Sequence, residues 1–312
     1  RPHPNVAVFG PDFRTYINNN VKGVFCEGDD WSKPIGDDEL KHYVMAHQLW
    51  NPSLKTNKLI DDFVNGYYGP AAPMIRKYVY NQIKAIGNTR TSWNANTNTP
   101  KGVDASWISL ENMNTSTRLF NEAEKKTTND PVILNRVKRM RLQMDQQWLA
   151  GYARYKKEAR KKDIEFLGPK DPQGAIDQLV TTCKSFGVDG LAWGEYLSID
   201  EYASRLRTFI KLGLLEAESA SLPKPFDTLH AKNMLDIQED EFDLFSVDKG
   251  HVSLVEDSKA SNRRAALLNP EFANWAVQCN NPEKLGIKGY YHVYAVVRID
   301  KVQDKGIAFV GG

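Results

Sequence analysis

The spacing of apolar residues switches once along this chain, and the switch constrains its fold more than any other feature. Between residues 37 and about 213 they recur with the period of an amphipathic helix, as in Leu40, Tyr43, Val44 and His47, and again in Ile60, Phe63, Val64 and Tyr67. After a Pro-containing linker, SASLPKPF, the segments FDLFS, HVSLVEDS, NWAVQC and YYHVYAVVRID alternate or run apolar over strand lengths. A helical block followed by a β block makes an α+β multidomain chain, and 312 residues suffice for about two domains.

Punctuation divides the helical block. Asn51-Pro52 and Gly69-Pro70 stop two short helices, Pro73 sits where a first turn tolerates it, and Ile75, Tyr78, Val79, Gln82 and Ile86 then run to Gly87. Residues 88–102 form a polar loop around Trp93. Asp130-Pro131 opens the longest helix, with Leu134, Val137, Met140, Arg141, Met144 and Trp148 on one face and Tyr152 continuing it. The basic stretch 154–162 reads as a solvated helix end that complements the macrodipole, with polyanion contact as the functional alternative. Ser198 and Glu201 make a capping box for a helix carrying Leu206, Phe209 and Ile210 and ending at Gly213. Short loops between amphipathic segments predict a layer of antiparallel helices in which Leu49, Phe63 and Tyr67 are buried. Upstream, Phe13, Tyr16 and Ile17 mark a helix, Asn18 to Asn20 stop it, and residues 21–26 read as a short apolar strand, half of a βα unit.

Composition removes several function classes. Forty-one basic against thirty-nine acidic residues leave a formal charge of +2, far from the basic field that general nucleic-acid binding needs. No apolar run reaches the roughly 18 residues of a membrane span. Cys26, Cys183 and Cys279 form no CxxC, so a disulfide framework and a cysteine zinc site are not indicated and buried thiols are expected. His42 and His47 are five apart, which is not the spacing of a helical metal pair. No phosphate-binding glycine motif or nucleophile elbow occurs, so neither a metal nor a cofactor is expected. The sequon Asn114-Thr115-Ser116 is a chance-level match. The chain opens without an initiator Met and closes on an apolar run, KGIAFVGG, so a portion of a longer protein is expected, truncated at both ends.

NVKGVF after a helix, the string LWNPSLKTNKLIDDFVNGYYGPAAPMIRKY, and the downstream VEDSKASNRRAALL, NWAVQC and HVYAVVRID together resemble a bacterial family of unknown function. Its members are large secreted proteins of glycan-degrading bacteria, with a central region similar to the barrel of α-glucuronidases and related glycoside hydrolases. The resemblance implies that residues 1–36 end a (β/α)8 barrel, 37–218 form the helical domain that follows, 219–234 link, and 235–312 begin a carbohydrate-binding β-sandwich of jelly-roll type. It also implies a periplasmic or extracellular location and an oligo- or polysaccharide partner. Where relatives carry Glu-Gln-Gly after the strand, this chain has Cys26-Glu27-Gly28, so Glu27 is not equated with a family residue.

Glycoside hydrolysis needs two carboxyl groups and a surface on which a sugar can stack. Glu27, as catalytic acid or base, with Asp29, Asp30 and Trp31 as substrate contacts at the carboxyl end of a barrel strand, supplies those types. Strand parity puts Glu27 and Asp29 on one side and Asp30 on the other. The same acids also fit an exposed loop that caps the helix at Asp37. Trp193 and Glu195, in a turn before the capped helix, are a second set of substrate candidates that equally fit a core Trp and a solvated Glu. In the β block, Trp275, Tyr290, Tyr291 and Tyr294 are available for stacking, and Arg263 and Arg264, in the loop SNRRAA, for an acidic sugar. Three readings stay open: a fragment of a glycoside hydrolase-like protein that is inactive alone, a non-catalytic glycan-binding or scaffold protein, and a helical module for protein docking.

Overall fold

The computed structural model describes residues 4–25, 35–88, 105, 107–188, 190 and 198–214, and further on 243–244, 252–260, 263–268 and 277–278. The chain divides into two compact units, Arg1–Leu214 and Leu215–Gly312.

Helices dominate the first unit. A 3-10 turn, Asn5–Ala7, leads into α1 (Phe9–Asn18), and α2 (Asp38–Trp50), α3 (Thr56–Tyr68) and α4 (Ala72–Gly87) follow. Then come α5 (Leu110–Lys126), α6 (Pro131–Ala150), α7 (Tyr152–Lys162), α8 (Pro172–Ser185) and α9 (Ile199–Gly213). Chain neighbours pack on one another, α2 on α3, α3 on α4 and α5 on α6, while α4 also meets α5 and α6 meets α8 and α9. No described residue between 37 and 213 lies in a strand, although Gly190 and Ser198 form an isolated antiparallel bridge.

Helix α6 is the hub because it carries two apolar faces. Val137, Met140, Met144 and Trp148 enter a core shared with α2 to α5, which includes Leu40, Val44, Ile60, Ile75, Tyr78 and Phe120. Leu142 and Leu149 enter a second core with Ile176, Leu179, Cys183, Tyr202, Leu206 and Ile210. Buried polar groups on α6 are consequently paired within the interior. Gln147 accepts from the Ala105 N–H at 2.7 Å and donates to the Tyr155 hydroxyl at 3.0 Å, and the Trp148 indole N–H donates to Thr117 Oγ1 at 2.9 Å. Gly151 ends α6, so Tyr152 opens a new helix instead of continuing the old one; its ring and that of Trp148 both meet Phe166 edge-on.

The helix termini follow sequence chemistry. Asp130 caps α6 by accepting from the Val132 and Ile133 N–H groups, with Pro131 at the first helical position. Ser198 and Glu201 exchange both bonds of the expected capping box. Asn114 of the sequon is 3% exposed; its amide donates to the Glu165 carbonyl at 2.6 Å and accepts from the Leu167 N–H at 3.0 Å. It is a structural tie and cannot receive a glycan in the folded chain.

Two expectations fail here. Residues 21–25, the described part of the expected strand 21–26, form no strand, and Phe25 is 90% exposed. Extended backbone needs a neighbouring strand to satisfy its N–H and C=O groups; among the described residues none lies beside these as a strand, and the Val21 N–H donates to the Tyr16 carbonyl at 3.0 Å instead. Leu49 is 48% exposed instead of buried, and Phe63 and Tyr67 are half-buried. The buried stripe of α2 runs through Leu40, Val44 and Gln48 at strict four-residue steps, which turns Leu49 and His47 away from the core.

In the second unit, Val252–Glu256 (β2) and Arg264–Leu268 (β3) form an antiparallel hairpin, and Asp243–Leu244 (β1) pairs antiparallel with Val277–Gln278 (β4). The segments expected as strands at FDLFS, HVSLVEDS and NWAVQC each contain one of these strands. RAALL does too, although it reads as loop in sequence. The period-2 segment 290–300 lies outside the described residues.

Candidate functional site

The residues singled out for chemistry in the sequence, Glu27, Asp29, Asp30, Trp31, Trp193 and Glu195, lie outside the described residues, as do Trp275, Tyr290, Tyr291 and Tyr294. Of the β-block candidates, Arg263 and Arg264 are placed. Arg263, at a positive φ of 61° at the foot of the hairpin loop, pairs with Glu256 at 2.8 Å. Arg264 is 9% exposed within β3. Neither offers the open guanidinium fork expected for an acidic sugar. In the basic stretch, the Arg154 guanidinium lies 4.1 Å from the Tyr155 ring centre and donates to the Ile108 carbonyl, Lys156 sits over the Phe166 ring, and Lys162 pairs with Glu158 at 2.7 Å. That stretch is largely occupied by the protein's own groups.

The described residues contain a groove that the sequence reading did not anticipate. It encloses about 570 Å³ between the start of α1, the turn leading into α3, and α4. Ala7, Pro11, Leu54, Ile60 and Ile83 supply apolar walls, and Arg14, Ser53, Lys55, Thr56, Asn57 and Tyr80 supply the polar groups. No carboxylate lines it.

Local structure explains this assembly. Thr56 begins α3, and Lys55 precedes it in extended conformation with no side-chain cap and no acidic residue in the first turn. The amino terminus of α3, with its partial positive charge and no acid in its first turn, therefore borders the groove, although Asn57 Oδ1 accepts from the Lys58 N–H at 3.0 Å. Gln48 is fully buried at the end of α2, and its amide N–H groups donate to the Leu54 carbonyl at 3.1 Å and to Thr56 Oγ1 at 2.8 Å. Because Thr56 Oγ1 accepts that bond, its own hydroxyl proton remains available to an outside acceptor.

Gly10 lets α1 come this close. A Cβ there would lie 2.6 Å from Gln48 Nε2, 2.8 Å from Thr56 Oγ1 and 3.1 Å from Arg14 Nη1, so only a residue without a side chain fits at this crossing. The three polar ends consequently converge on one point of α1. Arg14 also reaches the Pro52 carbonyl at 3.5 Å, tying α1 to the turn before α3.

On the far wall, the Tyr80 hydroxyl donates toward Asp61 Oδ1 at 3.2 Å, and Arg76 grips both oxygens of that carboxylate. Burial, reinforced by the Asp61 charge, pushes the Tyr80 phenol above its usual range and keeps it protonated. Asp61 is thereby occupied by Arg76 and Tyr80 and does not itself line the groove. Among the described residues no group of three His, Cys, Asp or Glu side chains could hold a metal ion, and no helix is long and apolar enough to cross a membrane. A residue that sequence reasoning could have flagged is Gly10, a glycine inside a helical pattern, which costs helix stability unless a close approach requires it.

Neither a curated protein nor a solved structure matches the chain. A family model described as Domain of unknown function (DUF4838) matches residues 1–80, a span that contains every groove-lining residue except Ile83.

Proposed function

We propose that this chain is part of a polysaccharide-processing protein and that, within it, the helical unit holds glycan and does not cleave it. The observation that carries this reading is the lining of the groove. Apolar walls next to hydroxyl, amide and cationic donors suit a saccharide, whose C–H face prefers apolar contact while its hydroxyls need fixed partners. Cleavage of a glycosidic bond would require two carboxyl groups, and the groove-lining residues contain none. The resemblance to secreted proteins of glycan-degrading bacteria supports the same ligand class and a periplasmic or extracellular setting. In the intact protein a hydrolytic role would rest on Glu27 as acid or base, with Asp29, Asp30, Trp31, Trp193 and Glu195 as substrate contacts.

The test is affinity electrophoresis of the protein through gels containing a panel of plant, bacterial and host polysaccharides. At least one polysaccharide should retard the protein, and Tyr80→Ala should relieve the retardation. Migration unchanged by every polysaccharide would remove the glycan reading. For hydrolysis, Glu27→Gln should lower turnover by about 10²–10⁴ with little effect on binding if Glu27 is the acid or base; unchanged turnover excludes it.

A further inference from the structure

We infer that the groove between α1, α3 and α4 recognises an anionic group, a carboxylate or a sulfate ester, carried by its saccharide ligand; this rests on the glycan reading of the groove. Three independent features converge on that charge. Arg14 and Lys55 line the groove without an acidic residue beside them in its lining. Several other cations of the first unit sit against acids: Lys41 with Asp37, Arg76 with Asp61, Arg118 with Glu165, Arg141 with Glu124, Lys184 with Asp200 and Arg207 with Asp177. In the groove lining no acid offsets the two cations.

The second feature is the direction of the neutral groups. Thr56 accepts from a fully buried Gln48 and so leaves its hydroxyl proton for an outside acceptor, whereas Ser53 donates its own hydroxyl proton to Asn51 Oδ1 at 2.6 Å. Thr56 thus adds one neutral donor to the two cations, as an anion requires. The third is the placement of Arg14, fixed by the glycine crossing that brings its Nη1 into the same small space as Gln48 Nε2 and Thr56 Oγ1. A guanidinium, an ammonium and a hydroxyl thus belong to one groove lining at the start of α3. An acid group on a pyranose ring could meet the cations while the ring lies against Ile60, Ile83 and Tyr80.

Matched polymers separate this inference from the reading beneath it. Retardation is measured in gels containing polygalacturonate, its methyl ester, dextran sulfate and dextran, for the wild-type chain and for Arg14→Ala, Lys55→Ala and Lys77→Ala. In parallel, inorganic sulfate is titrated against the amide resonances of Thr56 and Asn57. One charged polymer should bind and its uncharged counterpart should not, and which one it is tells carboxylate from sulfate. Arg14→Ala and Lys55→Ala should each weaken that binding about tenfold, whereas Lys77→Ala, an exposed cation of α4 away from the groove, should not. Equal binding of charged and neutral partners, or wild-type binding by Arg14→Ala and Lys55→Ala, overturns the anion inference and leaves the glycan reading standing. If no polymer binds but sulfate shifts Thr56 and Asn57 in an Arg14-dependent way, the anion site stands and the glycan reading falls. If neither polymer nor sulfate has an effect, both fail.

Discussion

Helix α2 has cations at both of its ends, and the two ends treat them in opposite ways. At the start, Lys41 is nearly buried and sits 2.8 Å from Asp37 and 3.6 Å from Asp38. Gln143 of α6 reaches Asp37, and the Ile35 N–H donates to Asp38 at 3.2 Å. Gly36, at a φ of 72°, turns the chain there, where a Cβ would strike Gln143 at 2.9 Å. At the other end, Arg14 and Lys55 face an open groove with no acid among its lining. Charge that is buried and matched belongs to the scaffold, because leaving it unmatched would cost more than the pair contributes. Charge that is exposed and unmatched in a concave place costs the scaffold little and is free to meet a ligand.

The sharpest way to break this contrast is to remove the buried cation. Lys41→Met should destabilise the helical unit by about 3–5 kcal/mol, since it leaves Asp37 and Asp38 without their partner. Urea denaturation followed by circular dichroism would show it, and a loss under about 1 kcal/mol would mean that the cluster is solvated after all. Its pH behaviour carries the same signature. Desolvation raises the Asp38 carboxyl above its usual value against the pull of Lys41. An acid raised in the folded state favours folding most when protonated, so its contribution is present below the unfolded value and falls as pH climbs toward the folded one. Desolvation pulls Lys41 down, but Asp37 and Asp38 outweigh it and hold the ammonium above its usual range, so that contribution is lost only in strong alkali. Asp38→Asn should therefore flatten the decline of the urea midpoint with rising pH in the acid range. An unchanged slope would assign the decline to Glu39 and Asp145, which burial also raises.

Next in size comes the core. Phe120 is fully buried and meets Tyr78 edge-on at 4.8 Å, so Phe120→Ala should cost about 3–5 kcal/mol. Phe63, half-buried between Tyr43 and Tyr67, should cost less than about 3 kcal/mol on the same change. Equal losses would show that the aromatic cluster on the outside of α2 and α3 is as well packed as the interior.

These comparisons also show how far the sequence could be read. Termini were legible, because Asp130-Pro131 and Ser198 with Glu201 act on their own backbone and need no distant partner. Core faces were legible where the period was strong, as in Ile75, Tyr78, Val79 and Gln82. Leu49 misled because hydrophobicity states a preference without stating which way a helix is rotated, and the rotation of α2 is set by Val44 and Gln48. RAALL misled because two alanines carry no strand signal; pairing with Val252–Glu256, including Arg264 opposite Glu256, decides it. The groove was illegible for a different reason. Its members come from α1, the turn before α3, and α4, and nothing in the local pattern of Arg14, Lys55 or Tyr80 announces that they share a space.

Gly10 connects the two kinds of region, since it buries a crossing in order to present Arg14. Gly10→Ala adds a methyl group against a fully buried, hydrogen-bonded Gln48, and overpacking of that kind costs about 1–3 kcal/mol. Better helix propensity would return at most about 1 kcal/mol. A net loss of stability measured by urea, together with weaker ligand retention, is expected; a stabilised protein would mean that α1 shifts freely and that the convergence on Arg14 is loose.

The smallest expected effect is the most telling for the comparison. Arg14→Ala and Lys55→Ala remove exposed cations, and Arg14 gives up only a 3.5 Å contact to the Pro52 carbonyl. Each should therefore change the unfolding free energy by no more than about 0.5 kcal/mol, against the several kcal/mol expected for Lys41→Met. A gain is conceivable on electrostatic grounds, because two positive charges beside the amino terminus of α3 repel its partial charge. Thermal unfolding at low and at moderate salt distinguishes the outcomes: removal of a repulsive cation should help more at low salt, where screening is weak. If either substitution instead costs more than about 1 kcal/mol, that cation is already employed by the fold, and the groove loses its claim to hold charge in reserve for a ligand.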